Sequence, residues 1–141
     1  MRVTRASDYA IRVMIQLATL PKGERQSLPA LARSTDVPVS FLAKILKSLS
    51  RAGLVLSRRG AIGGFELLPK GHRATMRDVI EAIEGPIVLN TCLASRHACH
   101  RRLCCPAHPV WKKAQAALLA VLGTSPIAEL AAAQKESASP T

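Results

Sequence analysis

The chain has 141 residues, of which 48% are hydrophobic and only 3% aromatic, so we expect one compact core of aliphatic side chains on packed helices. No apolar run approaches the roughly 20 residues that span a bilayer, and no signal-type segment opens the sequence, which predicts a cytoplasmic protein without a membrane partner. The net charge of +11 is concentrated in residues 1–73, where 13 Lys and Arg stand against four acidic residues. This distribution is typical of a domain that binds a nucleic-acid backbone, although basic charge can also serve solubility alone.

Three helices are predicted in the N-terminal part of the chain. Apolar residues recur at helical spacing over residues 7–20. Ser27 is a suitable N-cap for a short helix over residues 28–34. After a turn, residues 39–51 place apolar side chains on one face and basic side chains elsewhere, which predicts a third helix.

A β-hairpin is predicted after the third helix. Residues 54–58 and 65–68 are short β-prone segments on either side of a basic, glycine-rich turn. The order of helix, turn, helix and hairpin predicts a winged helix-turn-helix domain over residues 1–73, with the third helix in the major groove and the hairpin against the backbone or minor groove. The candidate DNA contacts are Ser40, Lys44, Arg58, Arg59 and Gly60. A solvated hairpin tip is the alternative interpretation of the two arginines.

Residues 74–133 are predicted to form a second unit, which consists of a cysteine loop and a dimerisation helix. Thr75 and Asp78 resemble a capping box at the start of a helix. A polar loop over residues 90–107 follows, and then a long helix over residues 109–122. Small and apolar residues at helical spacing predict that this helix forms a homodimer interface: Val110, Ala114, Ala117, Leu118 and Val121. The alternative is that the helix packs on its own domain.

The predicted fold class is mainly α with a small β-hairpin wing, in which a winged helix-turn-helix is followed by a long C-terminal dimerisation helix. A further short helix is expected over residues 126–133. The polar residues 134–141 are expected to form a disordered tail.

The loop contains every cysteine of the chain. These residues fall within 14 consecutive positions, and three histidines share or border the segment: Cys92, Cys99, Cys104, Cys105, His97, His100 and His108. In a cytosolic chain, such clustering favours metal binding or redox chemistry over structural disulfides. The intervals of six and then four or five residues are wider than those of most zinc sites, so they favour an iron–sulfur cluster.

Several alternatives remain open for this loop at the level of sequence. The thiols can bind zinc, sense oxidants without a metal, or have no ligand at all. A small redox or metal-handling enzyme is a further alternative, but the sequence contains no pair of cysteines separated by two residues, no nucleotide-binding loop and no paired catalytic carboxylates. Arg96, Arg101 and Arg102 interleave with the cysteines, where they would compensate an anionic cluster or contact DNA phosphates.

The chain resembles the Rrf2 family of bacterial winged-helix regulators in several motifs at matching separations. These motifs are Asp8-Tyr9-Ala10, Ser40-Phe41-Leu42 with Lys44-Ile45-Leu46, Arg51-Ala52-Gly53-Leu54-Val55, Arg58-Arg59-Gly60 with Gly63-Gly64-Phe65, Asp78-Val79-Ile80 with Ala82-Ile83-Glu84-Gly85-Pro86, and Cys92-x6-Cys99-x5-Cys105-x2-His108. With Trp111, the resemblance covers residues 1 to about 133. It implies a transcriptional regulator that binds palindromic DNA as a homodimer, and we favour a repressor. An iron–sulfur cluster would then change its affinity for DNA.

The resemblance also implies the ligands of the cluster. Members of the IscR type hold a 2Fe–2S cluster with three cysteines and one histidine, which match Cys92, Cys99, Cys105 and His108. Members of the NsrR type hold a 4Fe–4S cluster with a carboxylate from the first helix of the other subunit, which would make Asp8 the fourth ligand. We favour His108 and 2Fe–2S, because an acidic residue is ordinary in the first turn of a helix.

The chain departs from the family pattern at three points. Cys104 is an extra thiol beside the expected ligand Cys105, and on an extended segment the two side chains would point in opposite directions. The first interval of the loop has six residues where the IscR type has five. Ala43 replaces the acidic residue of the IscR-type recognition helix, so the target DNA sequence cannot be transferred. Some family members bind no cluster, so the fold alone does not imply the cofactor.

Overall fold

The first helix, α1 (Arg5–Thr19), lies at the centre of the fold in the computed structural model, which describes residues 2–138. Thr4 caps this helix by accepting a hydrogen bond from the Ser7 backbone N–H at 3.3 Å, so the helix begins two residues before the predicted start at residue 7. Its buried face packs against helices from both halves of the chain. The DNA-binding part and the C-terminal part therefore share one hydrophobic core.

The second and third helices form the predicted helix-turn-helix. Ser27 caps α2 (Leu28–Thr35) by accepting a hydrogen bond from the Ala30 N–H at 3.3 Å. Asp36, with a φ of 55°, adopts the left-handed conformation that ends α2. The third helix, α3 (Val39–Arg51), buries one apolar face in the core: Leu42, Ile45, Leu46 and Leu49. Its other face is exposed to solvent.

The strands β1 (Val55–Arg58) and β2 (Gly64–Leu67) form the predicted hairpin and pair antiparallel over their whole length. Gln26 forms an isolated antiparallel bridge to the hairpin, because it exchanges two backbone hydrogen bonds with Phe65, of 3.1 and 2.8 Å. A Cβ at Gly64 would lie 2.7 Å from the Gln26 carbonyl oxygen, so this close approach requires glycine. The hairpin is thereby fixed to the segment that precedes α2.

Two helices follow the hairpin before the cysteine loop. The single turn α4 (Pro69–His72) is absent from the sequence prediction, and its Gly71 is buried. The helix α5 (Met76–Glu84) begins with the predicted capping box, in which Thr75 and Asp78 each bond the other's backbone N–H.

The C-terminal helices are α6 (His108–Gly123) and α7 (Ile127–Ala138). The latter extends past the predicted end at residue 133, so residues 134–138 are helical and differ from the predicted disordered tail. This extension is consistent with packing against α1, where the Gln134 side-chain amide donates to Gln16 Oε1 at 3.4 Å. Residues 139–141 of the predicted tail lie outside the described residues.

The helix α6 differs from all other long helices of the described chain, because none of its residues is buried. Its C-terminal end is attached to the start of α5, since the Met76 N–H donates to the Ser125 carbonyl at 3.0 Å and the Ile127 N–H donates to the Ala74 carbonyl at 2.9 Å. Across residues 2–138, no helix has the length and apolar character needed to cross a membrane.

Candidate functional site

The N-terminal half of α3 presents a polar face to solvent. Ser40 and Lys44 are exposed and lie one helical turn apart. Phe41 meets the ring of Tyr9 on α1 edge-on, with ring centroids 5.8 Å apart. This contact joins α1 to the start of α3, from which the two candidate DNA contacts project.

The turn of the hairpin exposes the other candidate DNA contacts. Arg58, Arg59 and Gly60 are all exposed, and Gly60 has a φ of 109°, which favours glycine. A Cβ at Gly63 would clash with the Arg58 carbonyl oxygen, so the turn also requires glycine there. The tight turn leaves two arginine side chains at the tip of the wing.

Two residues of the wing region, Glu66 and Arg25, are absent from the sequence prediction of the site. Glu66 Oε1 accepts hydrogen bonds from Arg25 Nε at 3.2 Å and from Arg58 Nε at 3.3 Å. These bonds, that from Arg25 foremost, hold the pKa of Glu66 below its ordinary value. The sequence does contain a signal that could have singled out Glu66, because it is the only acidic residue in positions 37–77.

The cysteine loop consists of turns, with a short 3-10 helix at Thr91–Leu93. All four thiols are free; Cys104 is exposed, whereas the other three are half-buried. Residues 101–104 form turns, which corrects the extended geometry expected for the adjacent cysteines. Cys104 Sγ donates to the Arg101 carbonyl at 3.5 Å. Cys104 therefore differs from Cys105 in burial and in this hydrogen bond, and not by pointing to the opposite side of an extended strand.

Cys92 and His108 line a common cleft of about 360 Å³. Three cationic side chains also line it, and no carboxylate is among the lining residues: Arg96, Arg102 and Lys112. Nδ1 of His108 is buried and has no hydrogen-bond partner among residues 2–138. An unpartnered imidazole nitrogen near a thiol in a cationic cleft fits the donor chemistry of an anionic metal centre. His108 is the first residue of α6, one position after its N-cap.

The four predicted cluster ligands are not all brought together. Cys99 lines a neighbouring cleft of about 310 Å³, and Cys105 lines neither cleft. Within the described part of the chain, no group of three or more His, Cys, Asp or Glu side chains is arranged to hold a metal ion. The structure thus places two of the four residues, Cys92 and His108, at one cleft, and the other two could join them only by movement of the loop.

Asp8 lies at a different surface. Its carboxylate accepts a hydrogen bond from Arg12 Nη2 at 3.0 Å, in an ion pair along α1 with both side chains about half exposed. The surface cleft that Asp8 lines includes no cysteine. Within one chain, Asp8 therefore has the ordinary role of an acid in the first turn of a helix.

The helix α6 exposes the apolar residues that suggest a dimer. Val110 is 65% exposed and Val121 is 63% exposed, while Ala114 and Ala117 between them are also exposed. Leu118 is half-buried. Contiguous apolar surface of this kind marks an interaction site in a soluble protein.

Comparison with known proteins identifies the family. Residues 3–133 match the family model described as Rrf2, an iron-dependent transcriptional regulator. The chain belongs to the Rrf2 family. It is also 31% identical over 131 residues to the HTH-type transcriptional regulator Rv1287 of Mycobacterium tuberculosis, which covers 93% of this chain and 81% of that protein. Membership of the Rrf2 family makes the chain a DNA-binding transcriptional regulator and not an enzyme.

Solved structures confirm the winged helix-turn-helix fold of this Rrf2 protein. IscR of T. potens superimposes with a TM-score of 0.78 at 23% identity, covering 100% of this chain and 93% of that chain. The oxidized form of Staphylococcus aureus CymR superimposes with a TM-score of 0.71 at 26% identity, covering 93% of this chain and 96% of that chain. The sequence-based predictions of the family and of a mainly α winged helix-turn-helix fold with a C-terminal helix are therefore confirmed.

In this Rrf2 protein, the end of α5 is bonded to the start of α1, a contact that the sequence prediction lacks. Oε1 of Glu84 accepts hydrogen bonds from the Thr4 N–H at 3.0 Å, from the Thr4 hydroxyl at 2.6 Å and from the Ser7 hydroxyl. These bonds, that from Ser7 foremost, lower the pKa of Glu84. Since the cysteine loop begins just after α5, Glu84 joins the base of that loop to the DNA-binding part.

Glu84→Gln is expected to reduce the free energy of unfolding at pH 7, by roughly 1 kcal/mol after solvent screening. A lowered folded-state pKa means that the carboxylate stabilises the fold above its unfolded pKa of about 4.5. This contribution is lost as the pH falls through the folded-state pKa, so the two proteins should converge in acid. Urea unfolding between pH 7 and 3 measures the difference, with the exposed Glu136→Gln as control. A difference that is constant across this range would contradict the role of the charge.

Proposed function

We propose that this Rrf2 protein is a cytoplasmic homodimer that represses transcription from palindromic operators and responds to redox, nitric oxide or iron–sulfur status through a cluster in the cysteine loop. The main support for the cluster is His108, which lines the same cleft as Cys92 and whose buried Nδ1 has no partner among the described residues. Thiolates and imidazoles are the protein ligands that iron–sulfur clusters accept.

In this proposal, Cys92, Cys99, Cys105 and His108 hold the cluster, with 2Fe–2S favoured over 4Fe–4S. When bound, the cluster supplies an anionic, redox-active group. Cationic residues of the cleft would offset its negative charge: Arg96, Arg102 and Lys112. Because the loop follows α5, and Glu84 bonds α5 to α1, rearrangement of the loop would reach the DNA-binding part through this contact.

His108→Ala is expected to remove or change the visible absorption of protein purified without oxygen, whereas Asp8→Ala should leave the spectrum unchanged. The physical reason is that His108 offers an unpartnered nitrogen, while Asp8 is already paired with Arg12. Absorption spectra and iron content per chain measure the effect. The reverse result, with loss only in the Asp8 variant, would assign the fourth ligand to Asp8 of the other subunit and favour 4Fe–4S.

The second candidate is the same DNA-binding dimer with zinc binding or thiol oxidation in place of the cluster. The exposed, free thiol of Cys104 beside Cys105 favours the thiol-oxidation form of this candidate. Colourless anaerobic protein that contains zinc, or that loses DNA binding on reversible thiol oxidation, would support this candidate over the cluster.

For DNA recognition, we propose that Ser40 and Lys44 enter the major groove, while Arg58, Arg59 and Gly60 approach the backbone or minor groove. The support is their exposure on α3 and on a tight, glycine-dependent turn. The charged members of this set would supply affinity through phosphate contacts.

Arg59→Ala is expected to weaken DNA binding and to reduce the slope of log K against log salt by about one per half-site, because one phosphate contact is lost. The probe is the duplex that wild-type protein selects from a random-sequence pool, and the measurement is fluorescence anisotropy over a range of salt. Arg77→Ala, on α5, removes the same charge outside the proposed interface. Equal slopes for wild type and Arg59→Ala would reject the phosphate contact.

A further inference from the structure

Glu66 places a carboxylate within the basic surface of the wing. Its side chain is only 18% exposed, and one oxygen receives the Nε donors of both Arg25 and Arg58. Removal of a negative charge from a DNA-binding surface strengthens its attraction to phosphates. If charge were its only effect, Glu66 would therefore weaken DNA binding.

The geometry of the hairpin indicates a different effect. Leu56 pairs with Glu66 in the strand register, so Glu66 and Arg58 are diagonal neighbours on the same face. The bond to Glu66 uses only Nε of Arg58, whose side chain is 55% exposed. The two terminal nitrogens of Arg58 have no partner within residues 2–138, so they can form paired hydrogen bonds with a phosphate.

Arg25 extends this arrangement to the rest of the domain. Its Nη1 donates to the Ile62 carbonyl in the wing turn at 3.4 Å, while its Nε is bonded to Glu66. Arg25 directly precedes Gln26, whose backbone pairs with Phe65 and leads into α2. The wing is therefore attached to the helix-turn-helix through backbone and side chains together.

We propose that Glu66 and Arg25 are positioning residues, which orient Arg58 and the wing turn relative to α3 so that both elements fit one specific DNA site. The carboxylate lowers the affinity for DNA in general and raises the discrimination in favour of the specific site. This inference rests on the proposed contact of Arg58 with DNA.

Glu66→Ala tests this inference by opposite effects on two probes. The first probe is the duplex selected by wild-type protein from a random pool, and the second is random-sequence duplex of the same length. Loss of the charge should strengthen binding to random duplex roughly twofold to threefold. Loss of the oriented Arg58 should weaken binding to the selected duplex about tenfold. Glu66→Gln keeps an acceptor oxygen, so it should restore most of the discrimination without the charge.

Glu24→Ala is the matched control, because Glu24 is an exposed acid that lines the same cleft beside the wing as Glu66. It should strengthen binding to random duplex without loss of discrimination.

The double variant tests whether Glu66 acts through Arg58. When Arg58→Ala is already present, Glu66→Ala should cause no further loss of affinity for the selected duplex. Parallel gains on both duplexes for Glu66→Ala, or additive losses in the double variant, would overturn the positioning role. If Arg58→Ala alone has no effect, the proposed DNA contact fails, and the inference fails with it.

Discussion

Cys105→Ser is expected to abolish cluster assembly almost completely, whereas Cys104→Ser should leave iron content and visible absorption near the wild-type level. Cys105 fits the ligand interval to Cys92, Cys99 and His108, and a serine hydroxyl is a poor replacement for a thiolate on iron. In the structure, Cys105 is half-buried while Cys104 is exposed. The Cys104 thiol is bonded to the Arg101 carbonyl within its own turn.

The measurement is iron per chain and the visible spectrum of both variants after anaerobic purification. Because each substitution replaces one thiol by a hydroxyl, the two proteins control for each other, and thermal unfolding of the metal-free forms should coincide. Loss of colour in the Cys104 variant alone would shift the ligand set by one residue. Loss in neither variant would leave Cys92, Cys99 and His108 without the proposed partner and favour zinc or thiol chemistry.

The elements that sequence analysis predicted are those with local signals. Ser27 caps α2 with a side chain three residues from its partner, and Thr75 with Asp78 caps α5 in the same way. The helix α1 was predicted from its apolar period, and its cap Thr4 was not part of that prediction. Such signals are independent of the tertiary fold. The apolar period of α3, which has no side-chain cap, and the glycine turn of the hairpin are also local signals, so the elements that carry the candidate DNA contacts could be located from the sequence.

The contacts that sequence analysis lacked join residues far apart in the chain. The Thr4 bond to Glu84 spans 80 positions, and the Arg25 bond to Glu66 spans 41. In the sequence, Thr4 looks like an ordinary surface hydroxyl, and Glu84, Arg25 and Glu66 look like ordinary surface charges, until the fold places their partners. The turn α4 and the extension of α7 escape prediction for a related reason, since both are stabilised by packing on other elements more than by their own sequence.

The cysteine loop shows most clearly what could not be predicted from the sequence. The spacing of its cysteines predicts a shared ligand, yet the structure brings Cys92 and His108 to one cleft and leaves Cys99 at another. A loop whose order depends on a bound group has few apolar contacts of its own. If the proposed cluster binds there, the final arrangement of the loop would be encoded jointly by the chain and the cluster.

Ala117→Glu on α6 is expected to convert the protein to a monomer at micromolar concentration, raising the Kd of the dimer on the order of 100-fold. The substitution would bury a carboxylate in the apolar contact that we propose between two α6 helices. Ala117 is exposed in the single chain, as are its neighbours Val110, Ala114 and Val121, so the fold of the protomer should be retained.

Sedimentation velocity of the metal-free protein measures the change, and circular dichroism should show unaltered helix content. Ala116→Glu is the matched control, because Ala116 is also exposed but lines the cysteine cleft instead of the apolar stripe. Operator binding should weaken strongly in Ala117→Glu alone, since a monomer contacts one half-site and loses the linked second contact. Wild-type protein that sediments as a monomer at micromolar concentration, with half-site binding intact, would reject the dimer. The apolar face of α6 would then require a different partner, because so much exposed apolar surface is unusual in a soluble monomer.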